Sequence, residues 1–315
     1  MLLSLLYIFT ALVLLYFGAT WLVKGSTALA IKAGVSPLLT GLTVVAFGTS
    51  SPELFVSLNS AISGHGNIAI GNVVGSNIFN ILVILGISSW FLPLKIKLQV
   101  LKFDIPILIL ATIGFMFLFA DRLIGRLEGG ILVVGIVLYT LINILLAHRE
   151  KKTDTNSSTE IKPSNAKTQS YWSLALVVFG IGVLVAGSEL LVKGAVFIAH
   201  AWGVSETIIG LTIISAGTSL PVLASSIVAT IKKEYDIAIG NVIGSNIFNI
   251  LGIIGFSSLI KPLSAIAISN FDLYAMLGAT LLLLPFLRAS YTLKRDEGIF
   301  MIGIYLVYLY YLWPK

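Results

Sequence analysis

The sequence predicts an all-α polytopic membrane protein, with about ten transmembrane helices in two inverted-topology five-helix repeats. Three observations predict it. The first is composition: 57% of the 315 residues are hydrophobic and 11% are charged, where a soluble domain carries about 25% charge. The second is a series of ten apolar runs, each close to the roughly 20 residues that cross a bilayer. The third is a 50-residue stretch that occurs twice. Residues 41–90 and 210–259 align without a gap at an offset of 169, and 28 of the 50 positions are identical.

The runs follow in order. Residues 2–30 open with MLLSLLYIFTALVLLYFGATWLV, which lacks the basic start and short apolar stretch of a signal peptide and is expected to be span 1. Spans 2 to 5 are expected near 36–62, 68–90, 103–120 and 128–147. Residues 148–171, HREKKTDTNSSTEIKPSNAKTQSY, are polar with no apolar period and are expected to be a flexible cytoplasmic tether. Spans 6 to 10 are expected near 172–199, 207–230, 237–259, 272–288 and 297–313. The chain thus divides into a first repeat over 1–147, the linker 148–171, and a second repeat over 172–315. Trp21, Trp90, Trp172, Trp202 and Trp313 mostly fall near span ends, as an interfacial aromatic belt does.

Ten spans place both termini on one side. With the 5–6 loop cytoplasmic, fourteen Lys and Arg lie inside, including Lys32, Lys95, Lys97, Lys232, Lys233 and Arg295. Only Arg122, Arg126, Lys261 and Lys315 lie outside, and Lys24 and Lys193 fall within spans 1 and 6. This positive-inside bias puts both termini outside a cell (inner) membrane. The net charge of +6 therefore reflects topology, and nucleic acid is not an expected partner.

Five spans per repeat is odd, so the second copy enters the membrane from the opposite side. The similarity extends upstream, where LVKGS at 22–26 matches LVKGA at 191–195. Inverted repeats give a transporter two related conformations around a midplane site. The most similar stretches are also the most polar: GTSSPE at 48–53 with GTSLPV at 217–222, and GNVVGSNIFN at 71–80 with GNVIGSNIFN at 240–249. Pro in mid-span removes a backbone N–H and loosens the helix. Free carbonyls at membrane depth must face protein or a wet cavity. Ser, Thr and Asn add neutral oxygens and Glu53 adds a charge, a donor set suited to hard cations. The same residue types also hydrogen-bond helix to helix, but an acid in a span by default marks an ion pathway. Glu53 is the single acid in these duplicated cores.

These duplicated motifs resemble the two alpha repeats of the calcium/cation antiporter superfamily, in particular its prokaryotic sodium/calcium exchanger-like members. The resemblance implies ion sites between spans 2, 3, 7 and 8, with the long spans 1 and 6 sliding past that bundle. It assigns ligands to Glu53, Thr49, Ser50, Ser76, Asn80 and the carbonyl of Ala46. From the second repeat it assigns Thr218, Ser219, Ser245, Asn249 and the carbonyl of Ser215. It implies a secondary active antiporter working by alternating access, with Na⁺ or H⁺ exchanged for Ca²⁺ or another cation. The cations are substrates, and no cofactor is expected.

One position departs from the family. The partner of Glu53 is Val222, and Asn80 and Asn249 stand where some relatives carry Asp. A single carboxylate neutralises one Na⁺ or H⁺ but leaves Ca²⁺ at net +1, which is costly at low dielectric. The alternative reading is therefore a degenerate member, with calcium transport lost or limited to monovalent cations. Glu189, aligned with Thr20, is expected to be structural, and Asp104 and Asp272 are expected at the headgroup level. His65, His148 and His200 lie in a turn or at span ends. With no Cys in the chain and no His in the duplicated core, thiolate and Ser–His chemistry are excluded, and an enzyme is not expected. The oligomeric state stays open, and a monomer is compatible with the layout.

Overall fold

The computed structural model describes residues 2–33, 35–154, 168–201 and 215–312. The first half of span 7, expected from 207, lies outside the described residues up to 214, as does linker segment 155–167.

The helices fall into ten units at the ten sequence positions. Span 1 is Leu2–Ala33 and span 6 is Thr168–Ala201. Span 2 is broken: Pro37–Thr49 and Ser51–Ile62 meet at 48°. Span 7 repeats the break, with Ser215–Thr218 followed by Leu220–Ile231. Spans 3 and 8 are Gly66–Phe91 and Tyr235–Ile260. Span 4 is Val100–Leu118, and span 5 is Arg126–Asp154. Spans 9 and 10 are Asn270–Ser290 and Arg295–Leu312.

Among the described residues, six helices are long and apolar enough to cross alone, and the bent span 2 makes a seventh. Burial places them in layers. The apolar window of span 8 is 100% buried inside protein and that of span 3 is 72% buried, against 22% for span 5 and 28% for span 6. Spans 3 and 8 are therefore the centre, and spans 1, 5 and 6 the rim.

Both breaks have one cause. Pro52 and Pro221 sit in the first turn of the second segment, so neither contributes the N–H that would continue the helix. The residues ahead of them, Ser50 (φ −88°, ψ 8°) and Ser219 (φ −85°, ψ 0°), sit in the bridge region instead. Spans 3 and 8 each carry a π-helical turn, Asn80–Leu85 and Phe248–Ile254, beginning at or beside their paired asparagines Asn80 and Asn249. Such turns are rare and recur at functional sites.

The two halves are related by a pseudo-two-fold axis, visible in reciprocal pairings. Four short strands form two antiparallel ribbons: β1 (Leu94–Lys95) pairs with β4 (Thr292–Leu293), and β2 (Leu123–Ile124) pairs with β3 (Leu263–Ser264). β3 is β1 moved by 169 residues and β4 is β2 moved by 169, so each ribbon takes one strand from each repeat. The same reciprocity governs helix contact. A β-carbon on Gly129 would overlap Ser258 Oγ, and one on its counterpart Gly298 would overlap Ser89 Oγ.

Spans 1 and 6 pack antiparallel and close. A β-carbon on Gly18 would lie 2.9 Å from Leu184 N, one on Gly180 would lie 2.7 Å from Leu22 N, and one on Gly187 would lie 3.2 Å from Ala11 O. Small residues let membrane helices approach backbone to backbone.

Asp104 corrects an expectation. It is not exposed at its span end but fully buried in protein, with its carboxylate accepting a 2.9 Å hydrogen bond from the Tyr139 hydroxyl. The reason is local: a π-helical turn, Val100–Asp104, starts span 4 earlier than hydropathy suggests, which carries Asp104 a turn inward. Asp272 does sit at a helix start, where it accepts from Ser269 N and Oγ in a reciprocal cap and from Tyr308.

Candidate cation site

The breaks of spans 2 and 7 face spans 8 and 3 across the pseudo-two-fold axis. Thr49 donates to Asn241 Oδ1 at 2.7 Å, and its repeat partner Thr218 donates to Asn72 Oδ1 at 3.2 Å. Each of these asparagines then turns its amide back to the opposite break. Asn72 Nδ2 donates to the Glu53 carbonyl (3.2 Å) and to Ser57 Oγ (3.0 Å). Asn241 Nδ2 donates to the Val222 carbonyl (3.3 Å) and to Ser226 Oγ (2.9 Å). Spans 3 and 8 are joined directly, Asn80 Nδ2 to Asn246 Oδ1 at 3.2 Å and Asn249 Nδ2 to Asn77 Oδ1 at 3.1 Å. Every bond in this set has a counterpart 169 residues away.

Symmetry fails where Asn241 Nδ2 also donates to Ser225 Oγ at 2.8 Å, whose counterpart position is Val56, and it fails at the carboxylate. Ser219 Oγ donates to Glu53 Oε1 at 2.9 Å. The counterpart donor is Ser50 and the counterpart acceptor is position 222. Val222 is fully buried and offers no oxygen, and Ser50 Oγ has no hydrogen-bond partner among the described residues.

Of the residues expected to bind ions, Thr49, Ser50, Glu53, Asn80, Ser219, Ser245 and Asn249 are all 0% exposed. Ala46 and Ser76 are 1% exposed and Thr218 is 8% exposed. The Ala46 carbonyl accepts the Ser50 N–H at 3.0 Å and lies 3.4 Å from the Thr49 hydroxyl. Ser215 opens the first segment of span 7. Six of these residues hold a buried oxygen with no hydrogen-bond partner among the described residues: Ser50 Oγ, Glu53 Oε2, Ser76 Oγ, Asn80 Oδ1, Ser245 Oγ and Asn249 Oδ1. Buried polar atoms are almost always paired, and each exception asks for a cause. Glu53 also makes no ion pair among the described residues, although it is fully enclosed. One carboxylate, two amide oxygens and three hydroxyls suit a hard cation.

The asparagines Asn72, Asn77, Asn241 and Asn246 escape a reading that looks only for ligands. They hold the ligand-bearing segments in place. Their signal lies in the motif itself, which carries three asparagines per copy, of which only the last was assigned.

Inverted five-helix repeats that meet at a buried, under-bonded oxygen cluster define a secondary transporter of the membrane. The chain belongs to the sodium/calcium exchanger family, whose model, described as "Sodium/calcium exchanger protein", matches residues 3–145 and 172–313. The chain is 39% identical to "Putative antiporter CaxA" of Alkalimonas amylolytica over 323 residues, covering 100% of both chains. It is 33% identical to "Inner membrane protein YrbG" of Escherichia coli (strain K12), covering 100% of this chain and 99% of the relative. Among solved structures it resembles the sodium-calcium exchanger NCX_Mj soaked with Na⁺ and Sr²⁺. There the TM-score is 0.83 at 32% identity, over 98% of this chain and 97% of that one.

Proposed function

We propose that the chain exchanges cations across a cell membrane by alternating access, with Glu53 as the charged ligand of the transported ion. Na⁺ or H⁺ moves against Ca²⁺ or another cation. The observation that carries this reading is the set of six buried oxygens without partners, drawn from both repeats. A bound cation satisfies them and neutralises Glu53. The empty site keeps its charge and resists the switch, so one cation leaves only when another takes its place. Thr49, Thr218, Ser219 and the carbonyls of Ala46 and Ser215 complete the ligand set. By the positive-inside count both termini face outward, and the repeats divide at 148–171.

The test is flux into proteoliposomes with Na⁺, H⁺ and Ca²⁺ gradients imposed in turn, on the parent and on Glu53→Gln. The parent exchanges and the variant falls to the protein-free background. Equal flux in the two removes Glu53 from the mechanism.

The asymmetry at Ser50 and Val222 favours a second, narrower reading. One carboxylate balances one monovalent charge, so this member is limited to monovalent cations and has lost calcium transport. Radioactive calcium uptake by the parent and by Val222→Glu separates the two. Uptake only by the variant establishes the narrower reading, and uptake by the parent ends it.

A further inference from the structure

A second charged cavity lies away from the cation cluster, between span 1 and the turn that joins spans 7 and 8. It measures about 260 Å³ and is lined by Lys24, Thr27, Lys232 and Glu234, with Val23 and Ile31 among its apolar walls. The lining carries two exposed lysines and one glutamate, for a net charge of +1. Among the described residues neither lysine has an ion-pair partner; the pair that does form, Lys97 with Asp236 at 2.8 Å, lies elsewhere. Lys232 reaches only the Thr20 carbonyl, at 3.4 Å. Thr27 lines the cavity, and its hydroxyl, closed off behind the wall until the side chain turns, has no hydrogen-bond partner among the described residues. Burial, and next the nearby Lys24 charge, hold the Lys232 pKa below its ordinary value, against the opposing pull of Glu234.

We infer that this cavity binds a phosphate group, held by Lys24 and Lys232 and hydrogen-bonded by Thr27. A phosphate supplies the missing negative charge and several acceptor oxygens, which match two ammoniums and a hydroxyl. A phospholipid headgroup suits the site better than free phosphate. The walls are apolar on one side, and Ile31 is 66% exposed on the outer surface of span 1, where an acyl chain runs. Polybasic sites on the cytoplasmic side of membrane helices attract anionic lipid in this way. Because the site joins span 1 to the span 7–8 turn, an occupant ties the rim of the molecule to its core.

The test uses the full chain in nanodiscs of phosphatidylcholine, with or without phosphatidylglycerol. Lipid retained after detergent extraction is counted by native mass spectrometry, and thermal unfolding is followed in parallel. The parent retains phosphatidylglycerol over phosphatidylcholine. Lys24→Gln combined with Lys232→Gln lowers retention about tenfold, the equivalent of one lost charge-assisted contact. Lys24→Arg combined with Lys232→Arg keeps retention, which separates lost charge from lost fold. Glu234→Gln raises retention, because it removes the opposing carboxylate. A second arm adds millimolar inorganic phosphate to phosphatidylcholine nanodiscs; a shift in the parent's unfolding that the Gln pair lacks assigns the site to free phosphate. The inference is overturned if the Gln pair retains phosphatidylglycerol like the parent and phosphate shifts neither protein.

Discussion

At the scale of single residues, two buried carboxylates follow opposite logics. Glu53 has one oxygen held by Ser219 and one left over, in a cluster of other oxygens without partners. Asp104 has one oxygen held by Tyr139 and the other likewise without a partner among the described residues, but it sits in a small polar group with Gln99 and Asn143, outside the duplicated motifs. On the proposed function the first receives an ion, while the second fastens span 4 to span 5. Tyr139→Phe therefore removes the hydroxyl that donates to Asp104 at 2.9 Å. It should cost about 1–3 kcal/mol of stability, the penalty for an unsatisfied buried acceptor, and lower the unfolding temperature while leaving ion selectivity intact. A changed ion preference in Tyr139→Phe overturns this division. At position 222 the sign reverses. Val222→Glu gives Ser50 the acceptor that its repeat partner Ser219 already has, and doubles the charge of the site. A charge-assisted contact of about 1.5–3 kcal/mol corresponds to a gain in calcium affinity of roughly 10- to 150-fold. Isothermal titration of parent and variant with Ca²⁺ measures it, and no gain means that Val222 lies out of reach of the ion.

At the scale of elements, sequence and structure agree where pattern is strong and part where context decides. The breaks in spans 2 and 7 were legible because Pro52 and Pro221 follow a Gly-Thr-Ser run in mid-span. The ligand candidates were legible because the motif occurs twice, and the structure buries those it describes. The position of Asp104 was not legible. Hydropathy locates an apolar run but not the π-helical turn ahead of it, and that turn decides whether the acid meets water or protein. Nor was the holding role of Asn72 and Asn241, since a hydrogen bond between repeats depends on their crossing and not on spacing within either. The tight seam between spans 1 and 6 was likewise hidden, because glycine in an apolar run carries no hydropathy signal. That seam makes a sharp prediction. At Gly180 a side chain meets the backbone of span 1 at Leu22, which cannot yield, whereas at Gly182 an added β-carbon has nothing within 4 Å. Gly180→Leu should lose about 1–3 kcal/mol through overpacking, and Gly182→Leu should be neutral within about 0.5 kcal/mol. Unfolding temperatures of the two in one detergent compare them directly, and equal losses refute the seam as the cause.

At the scale of the whole molecule, the pseudo-two-fold axis holds for the core and fails for the rim. Span 1 packs along Leu220–Ile231 of span 7, but among the described residues span 6 has almost no contact with the matching segment Ser51–Ile62 of span 2. The repeat partners Ile237 and Ile68 show the result: the first is 1% exposed and the second 54% exposed. Span 1 therefore covers span 7 at one end of the molecule, where the described part of span 6 leaves span 2 uncovered at the other. Two halves that share 28 of 50 core positions can exchange these roles, and that exchange supplies the second conformation that the proposed transport cycle requires. It can be written residue by residue. In the present state Lys232 reaches the Thr20 carbonyl. Moving each position by 169 residues pairs Ser63 with Glu189, which is exposed here. The chain has no cysteine, so thiols introduced at 20 and 232, or at 63 and 189, report on one end each. With a short thiol cross-linker, the Thr20→Cys/Lys232→Cys pair should link readily in the resting protein and stop exchange. The Ser63→Cys/Glu189→Cys pair should link only while cations drive turnover, and each link should prevent the other in the four-cysteine chain. If both pairs link at once in a single molecule, the two ends close independently and an exchange of roles between the repeats is not how this protein moves.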